Sequence, residues 1–587
     1  MENKRLKALQ ARLKLNDIDL YYLNTSDYHM SEYVPEYFKT ISYFSYFTGS
    51  LATLLVSQND AYIFVDGRYH TQADKQCLEN GIKVIKLGTK DALEPIEFIE
   101  KYYKDKVIGI DGKRTSIGFA KALIKKHIRI KSIDIYSDII ENRVPLKKDV
   151  IYELPVKYTG LPRSKKIDII KYCLKKDCHI VNNLESIAYL LNLRSRDILY
   201  TPVFLAYLVI YDGDIYLFAD KKRFKKETLD SLFADGVIVR PYDSYYDFIS
   251  YIKNRVVVLD VNKVNYETYL RISNKHNKII NKRSVIEEMK SIKNATEQAN
   301  SRLAHIYDAV ALIRFFMWLE SVDKSKYNEY QVAKILDNFR LSYKAYDLSF
   351  GSIVAYNSNS AIIHYSPTER DSARLDNKGI LLLDTGGQYL YGTTDITRTI
   401  ALGEVDDEVK KHFTLVLKSM FNLSELKFKK GLSGKQIDII ARQDLLAEGL
   451  DYRHGTGHGV GFGLSVHEGP PNIRYMSTNV KTEEVELKPG MIFSDEPGVY
   501  FEGKYGIRCE NLLLCEKNFE NEYGEFLKFE TLTLVPFDRK LINKEYLDQK
   551  TIDAINNYHS RVYETLLPYL NEKEVEYLRK TTEAIWK

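Results

Sequence analysis

No apolar run in this sequence is long enough to cross a bilayer, and the opening stretch MENKRLKALQARLKLND is charged and helical in pattern where a secretory leader would be apolar. The expectation is a chain without a membrane span, placed in the cytoplasm. Cysteine is scarce: Cys77, Cys173, Cys178, Cys509 and Cys515 are scattered, odd in number and never in a C-x-x-C pair. That argues against a disulfide framework and for free thiols in a reducing compartment. An excess of one charge is also lacking, because 85 Lys and Arg face 80 Asp and Glu without a basic arm. Nucleic acid is therefore not an expected partner. No segment is of low complexity, and no linker is rich in proline or serine.

Hydrophobic residues at 44% and charged residues at 28% argue against disorder, and 587 residues exceed what one core can hold, so roughly two to four domains are expected. Helix and strand signals alternate from the start. A helix near residues 4–14 is followed by the apolar DLYYL, a hairpin in LATLLVSQNDAYIFVDGRY, a helix from about 71 and the strand IKVIKLG. A similar order returns after KYTGLPRSKK, with the amphipathic ESIAYLLNL and a hairpin FLAYLVIYDGDIYLFADKK that turns at Asp212-Gly213. The two hairpins read as a weak internal repeat in which only the first copy ends on an arginine, Arg68. A long helix begins at Asn294, with Glu297 placed as in a capping box and Leu303, Ile306, Val310, Ile313 and Met317 spaced as a core-facing stripe. Further helices near 328–341, 406–426 and 433–449 are interleaved with the strand-like GILLLD, YLYGTTDITRTIAL, MIFSDEP and GIRCENLLL.

Chemistry concentrates around RHGTGHGVG, residues 453–461, where glycine takes every second position from Gly455 to Gly463. His454 and His458 are four apart, yet each intervening glycine disfavours helix by about 1 kcal/mol, so a helical H-E-x-x-H pair is excluded. The spacing of a dinucleotide loop fails at Val460, and no G-x-x-x-x-G-K phosphate loop occurs. What remains is an irregular strand or loop that other groups approach closely. Carboxylates stand at the ends of apolar runs on both sides. Asp384 closes GILLLD, Asp395 follows in GTTDITRT, Glu496 ends MIFSDE, and Glu510 lies inside the strand pattern IRCENLLL. Asp384 and Asp395 are eleven apart and would face opposite sides of a flat strand, but Gly386, Gly387 and Gly392 allow a bend. Arg508, two positions before Glu510, shares its face and is expected to keep it ionised. Four carboxylates gathered with His458 would repel one another, and a pair of divalent cations is the natural filling. Oxygen-rich ligation favours manganese, with cobalt or zinc as substitutes.

The ordered segments AIIHY, LLDTGGQYLYGTTDITRT, HGTGHGVGFGLSVHEGP, SDEPGVY and GIRCEN resemble the dinuclear metallopeptidase family of the pita-bread fold, in particular the long three-domain form of Xaa-Pro aminopeptidases. SDYHMSEYVPEYFKTISYFSYFTGS and VDGRYHTQA are similar to that form's first domain, NLESIAYLLNLRSRDILYTPVF to its second, and AHIYDAVALIRFFMWLE to the start of its third. The resemblance implies an α/β (α+β) chain. Two creatinase-like α/β domains, 1–147 and 148–291, would precede a pita-bread catalytic domain, 292–587, with a C-terminal extension from about 530. It implies that Asp384, Asp395, His458, Glu496 and Glu510 bind two divalent ions, with Asp395 and Glu510 bridging them. His364 and His467 would act on the substrate, while His454, His458, Arg508 and Arg68 would belong to the substrate site. Tyr500 stays open between pocket lining and packing.

The reaction implied is hydrolysis of the first peptide bond of peptides with proline second, by a hydroxide held between the ions. Glu496 would take the proton, and His364 and His467 would assist. A homodimer is implied as well. The nearest rival is an Xaa-Pro dipeptidase (prolidase), which would share the ligands, and the two extra domains favour the aminopeptidase. From another class, a peptide-binding relative without catalysis would have lost ligands, and none is missing here.

Overall fold

The computed structural model describes residues 3–174, 177–475 and 484–586. The chain divides into two units, Met1–Glu288 and Met289–Lys587.

The first unit contains two six-stranded sheets. In one, β1 (Leu20–Asn24), β2 (Thr53–Ser57), β3 (Ala61–Val65), β4 (Lys83–Lys86), β5 (Val107–Ile110) and β6 (Arg129–Ser132) lie in the order β4-β3-β2-β1-β5-β6. In the other, β7 (Cys178–Val181), β8 (Tyr207–Tyr211), β9 (Asp214–Phe218), β10 (Val237–Arg240), β11 (Val256–Leu259) and β12 (Lys278–Asn281) lie in the order β10-β9-β8-β7-β11-β12. The two orders are the same, so the repeat read weakly in the hairpins extends to whole sheets. Alternation along β1 explains why the first sheet is covered on both faces. Tyr21 and Leu23 join one apolar cluster with helix α1 (Lys4–Leu15), while Leu20 and Tyr22 join another with Ile108 and Leu123. The predicted turn at Asp212-Gly213 is present, with φ of 52° and 86°, the left-handed pair that a two-residue hairpin loop requires. A helix α2 (His70–Cys77) follows the Arg68 segment as expected.

The second unit is organised by helix α3 (Ala295–Ser321). Asn294 caps it by accepting from the amides of Thr296 and Glu297, and the Glu297 side chain accepts from the Asn294 amide in return. Val310 and Ile313 are fully buried, but Leu303, Ile306 and Met317 are only half-buried. The stripe expected to face the core is thus its border, because the helix also buries Ala304, Asp308, Leu312 and Phe315. Helices α4 (Glu329–Leu341), α5 (Asp407–Ser424) and α6 (Gly434–Ala447) lie where their periodicity predicts. Residues from α7 (Gln549–Leu566) and α8 (Glu572–Thr581), including Ile555, Val562 and Leu578, share one core with Val310, Phe413 and Leu381.

Two sheets carry the site. β13 (Ile353–Tyr356), β14 (Ile380–Thr385) and β15 (Ile396–Ala401) form an antiparallel trio. The larger sheet comprises β16 (Lys427–Lys429), β17 (Gly457–Gly459), β18 (Glu468–Ile473), β19 (Ile492–Asp495), β22 (Asn511–Asn521) and β23 (Gly524–Thr531), while β20 (Gly498–Phe501) pairs with β21 (Tyr505–Arg508). The order in the larger sheet is β16-β23-β22-β19-β17-β18. The run GIRCENLLL is therefore not one strand. It breaks at Cys509-Glu510, where the chain passes from the β20-β21 pair into the large sheet.

Candidate active site

Strand register places the acidic residues. Asp384 pairs with Thr397 across β14 and β15, and Asp395 immediately precedes β15, so the eleven-residue spacing is resolved by a return into the neighbouring strand. The intervening chain forms the short strands Gly387–Tyr389 and Gly392–Thr393. In the large sheet Asp495 pairs with Asn511, which sets Glu496 and Glu510 at adjoining strand ends. The two pairs are tied together by the Glu510 amide, which donates to the Thr397 carbonyl at 3.1 Å. The Thr397 hydroxyl donates to Glu510 Oε2 at 2.8 Å, and Arg398 donates to the Glu510 carbonyl at 2.6 Å.

His458 enters from β17. Glycine flanks it for steric reasons, because a Cβ on Gly457 would fall 1.9 Å from the Ser494 carbonyl oxygen and one on Gly459 would fall 2.2 Å from that of Glu468. The strand is squeezed between β19 and β18, with a register shift at His458 and Gly459. His458 Nδ1 is hydrogen-bonded to the Gly459 carbonyl at 2.9 Å. That leaves Nε2 to face Asp395 Oδ2 at 3.4 Å and Glu496 Oε1 at 3.7 Å. Donor atoms of Asp395, His458 and Glu510 lie within 4.8 Å of one another.

The electrostatics are those of crowded like charges. Burial, with Asp395 and Glu496 beside it, pushes Asp384 up to about 7 despite the Arg508 guanidinium at 2.5 Å. Burial raises Glu496, and it raises Glu510 well above the carboxylate range, with neighbouring carboxylates adding to both. Burial would lower His458, but Asp395 and Glu496 outweigh it and bring it to about 9. Asp384 Oδ1, Asp395 Oδ1 and Glu510 Oε1 are buried and have no hydrogen-bond partner among the described residues. Buried oxygens without donors are costly. An oxygen-rich donor set of this kind, with one imidazole nitrogen facing it, fits divalent cations.

Arg508 departs from its expected partner. It pairs with Asp384, not Glu510, and also donates to the hydroxyls of Tyr500 at 2.8 Å and Thr397 at 3.1 Å and to the Ile363 carbonyl at 3.5 Å. The reason is the strand break at 509–510, which removes the shared face. Arg508 is 1% exposed, so it holds Asp384 from within. Tyr500 links it to His454, whose Nε2 lies 2.8 Å from the Tyr500 hydroxyl. Burial and the Arg508 charge bring His454 down to about 3, so it is neutral. His467 is half-buried with its ring at 4.4 Å from that of His458, edge to face. His364 is half-buried on the turn next to Ile363. In the first unit, Arg68 forms a two-pronged pair with Asp66 at 2.9 and 2.7 Å.

Thr397, Thr399 and Ser494 escaped the sequence reading. Thr399 accepts from the Arg508 amide and donates to its carbonyl, and Ser494 accepts from the His458 amide. The alternation of threonines in DITRT was the available signal.

Matches to known proteins cover most of the chain. The profile described as Metallopeptidase family M24 matches residues 299–517, and the C-terminal region of peptidase_M24 matches 525–585. Two Creatinase/Prolidase N-terminal domain profiles match 5–144 and 142–297. Xaa-Pro aminopeptidase 1 of Dictyostelium discoideum is 36% identical, over 98% of this chain and 96% of the relative. The chain belongs to metallopeptidase family M24. Among solved M24-type structures, X-prolyl aminopeptidase from Caenorhabditis elegans, a cytosolic enzyme with a di-nuclear active site, superimposes with a TM-score of 0.93 at 30% identity, covering 99% of both chains. Xaa-Pro dipeptidase from Bacillus anthracis, at 22% identity and TM-score 0.51, covers 64% of this chain and 99% of that one and shares the fold alone.

Proposed function

We propose that this M24 chain is an Xaa-Pro aminopeptidase that hydrolyses the first bond of peptides with proline at the second position. The observation that carries the reading is the convergence of Asp395 and Glu510 on His458, with Asp384 beside Asp395 and Glu496 and one buried oxygen of Asp384, Asp395 and Glu510 each lacking a partner among the described residues. When bound, two divalent cations, with manganese preferred, cancel the carboxylate charge and acidify a water to near neutrality. Asp384, Asp395, His458, Glu496 and Glu510 would hold them. The Nδ1 contact of His458 to a backbone carbonyl presets the tautomer that offers Nε2.

Glu496 is the proton acceptor. Its Oε1 lies 3.7 Å from His458 Nε2, which sets a carboxylate base within the donor cluster. His467 donates to the oxygen of the scissile carbonyl as charge develops there, and His364 orients the bond. The free α-amine of the substrate meets the carboxylates, which restricts cleavage to the N-terminus. Proline's imide nitrogen offers no hydrogen, so selection rests on shape. His454, Tyr500 and Arg508 form a hydrogen-bonded chain that keeps Asp384 in place. Full-length likeness to aminopeptidases supports this substrate class over the dipeptidase, and the cytosolic nematode enzyme supports a cytosolic setting. A homodimer and a role for Arg68 in holding the peptide belong to the same proposal.

The test uses metal-stripped protein reloaded with manganese and offered Arg-Pro-Pro, Arg-Ala-Ala and Arg-Pro. Arginine released from Arg-Pro-Pro alone is the expected result. Preference for Arg-Pro would transfer the chain to the dipeptidases, and no release from any of the three would end the proposal.

A further inference from the structure

Beside the candidate site lies a charged cluster that the reaction does not use. Glu468 is 4% exposed, and its carboxylate sits between Lys290, 5% exposed, and Lys293, 1% exposed. Lys290 Nζ lies 3.1 Å from Oε2, and Lys293 Nζ contacts Oε1. Lys290 also donates to the Gly469 carbonyl at 3.3 Å, so the backbone just after Glu468 is held as well as its side chain. Two ammonium groups against one carboxylate leave an excess positive charge inside the protein. As a pin for the fold this is a poor choice, because apolar packing of similar volume does the same with no desolvation penalty.

The geometry points to a positioning role. We infer that the Lys290–Glu468–Lys293 clamp aims the imidazole of His467 and so acts on the chemical step and not on substrate binding, an inference that rests on the role proposed above for His467. His467 closes the bend that leads into β18 and directly precedes Glu468. With Glu468 anchored on the lysines, the end of that bend is held where the His467 ring meets that of His458 at 4.4 Å. The clamp also fixes the neighbouring strand. Glu468 pairs with Gly459 across β17 and β18, its carbonyl oxygen lying where a Gly459 side chain would begin, and the register shifts at His458 beside it. The separation of the two histidines is thereby set from one end by a single carboxylate.

The experiment is a double-mutant cycle on the full chain loaded with manganese, using Arg-Pro-Pro and reading kcat, KM, bound manganese and the melting midpoint. His467→Ala should lower kcat about a hundredfold, the usual effect of deleting one oxyanion donor. Glu468→Gln should lower kcat about tenfold with KM within about twofold and manganese content unchanged, and the double variant should match His467→Ala within about twofold. Lys290→Met, which leaves a neutral pair, should show the same non-additivity on a smaller scale and serves if Glu468→Gln does not fold. Losses that multiply in the double variant, a rise in KM alone, loss of manganese, or wild-type kcat in Glu468→Gln would each overturn the clamp. Wild-type kcat in His467→Ala would instead remove the reading of His467, and the clamp with it.

Discussion

Two buried aspartate–arginine pairs, one in each unit, look alike and behave differently. In the first unit Asp197 is saturated: it accepts from both terminal nitrogens of Arg223 and from the Leu205 amide at 2.9 Å. In the second, Asp384 accepts from Arg508 through one oxygen, while the other has no partner among the described residues and the remaining neighbouring charges are the carboxylates of Asp395 and Glu496. A saturated pair is complete as folded. A half-saturated one among like charges is a socket for a cation, and the contrast separates structural from functional acids where burial alone does not.

The largest effect that could break this contrast comes from Glu510→Gln. It should reduce kcat/KM on Arg-Pro-Pro by roughly a thousandfold or more while leaving the melting midpoint of the metal-free protein unchanged or higher, because burial raises the Glu510 carboxyl well above its ordinary range and glutamine removes the cost of protonating it on folding. Manganese should raise the wild-type midpoint, by a free energy of about 2.7 kcal/mol at a hundred times its Kd, and leave the variant unmoved. A metal-free variant that melts far below wild type would show that Glu510 is structural after all. Asp197→Asn is the converse. It strands the Arg223 charge, so urea denaturation should show a loss of about 3 kcal/mol that manganese does not restore.

The smallest effect sharpens the comparison through pH. Burial takes His29 of the first unit down to about 3 against the pull of its hydrogen bond to the Asn182 carbonyl, so it folds neutral. Between its unfolded value of 6.5 and 3 only the unfolded chain binds the proton, and stability falls as pH drops through that window. His29→Gln should reduce the proton uptake on unfolding by about one between pH 6 and 5, a slope change of about 1.4 kcal/mol per pH unit. Denaturation midpoints measured across that range decide it.

Much of this was legible in residue order. The helices of the second unit followed from apolar spacing and from Asn294 and Glu297, and the acids at strand ends announced themselves because a carboxylate closing an apolar run has few bland uses. Pairing across sheets was not legible. Arg508 was expected beside Glu510 because neighbours two apart share a strand face, and the break at Cys509-Glu510 that sends it to Asp384 depends on contacts with β15, more than a hundred residues earlier. The threonines of β15 are illegible for the same reason. A hydroxyl looks ordinary until the strand opposite is known.

The glycine-flanked strand through His458 has an implication for anyone who randomises this segment. At positions 457 and 459 a first side-chain carbon would strike a neighbouring main-chain oxygen, so a library screened only for soluble expression, with no demand for catalysis, should still return glycine at both. Invariance there would record crowding, and a survey of variants that took it as a mark of chemistry would be misled.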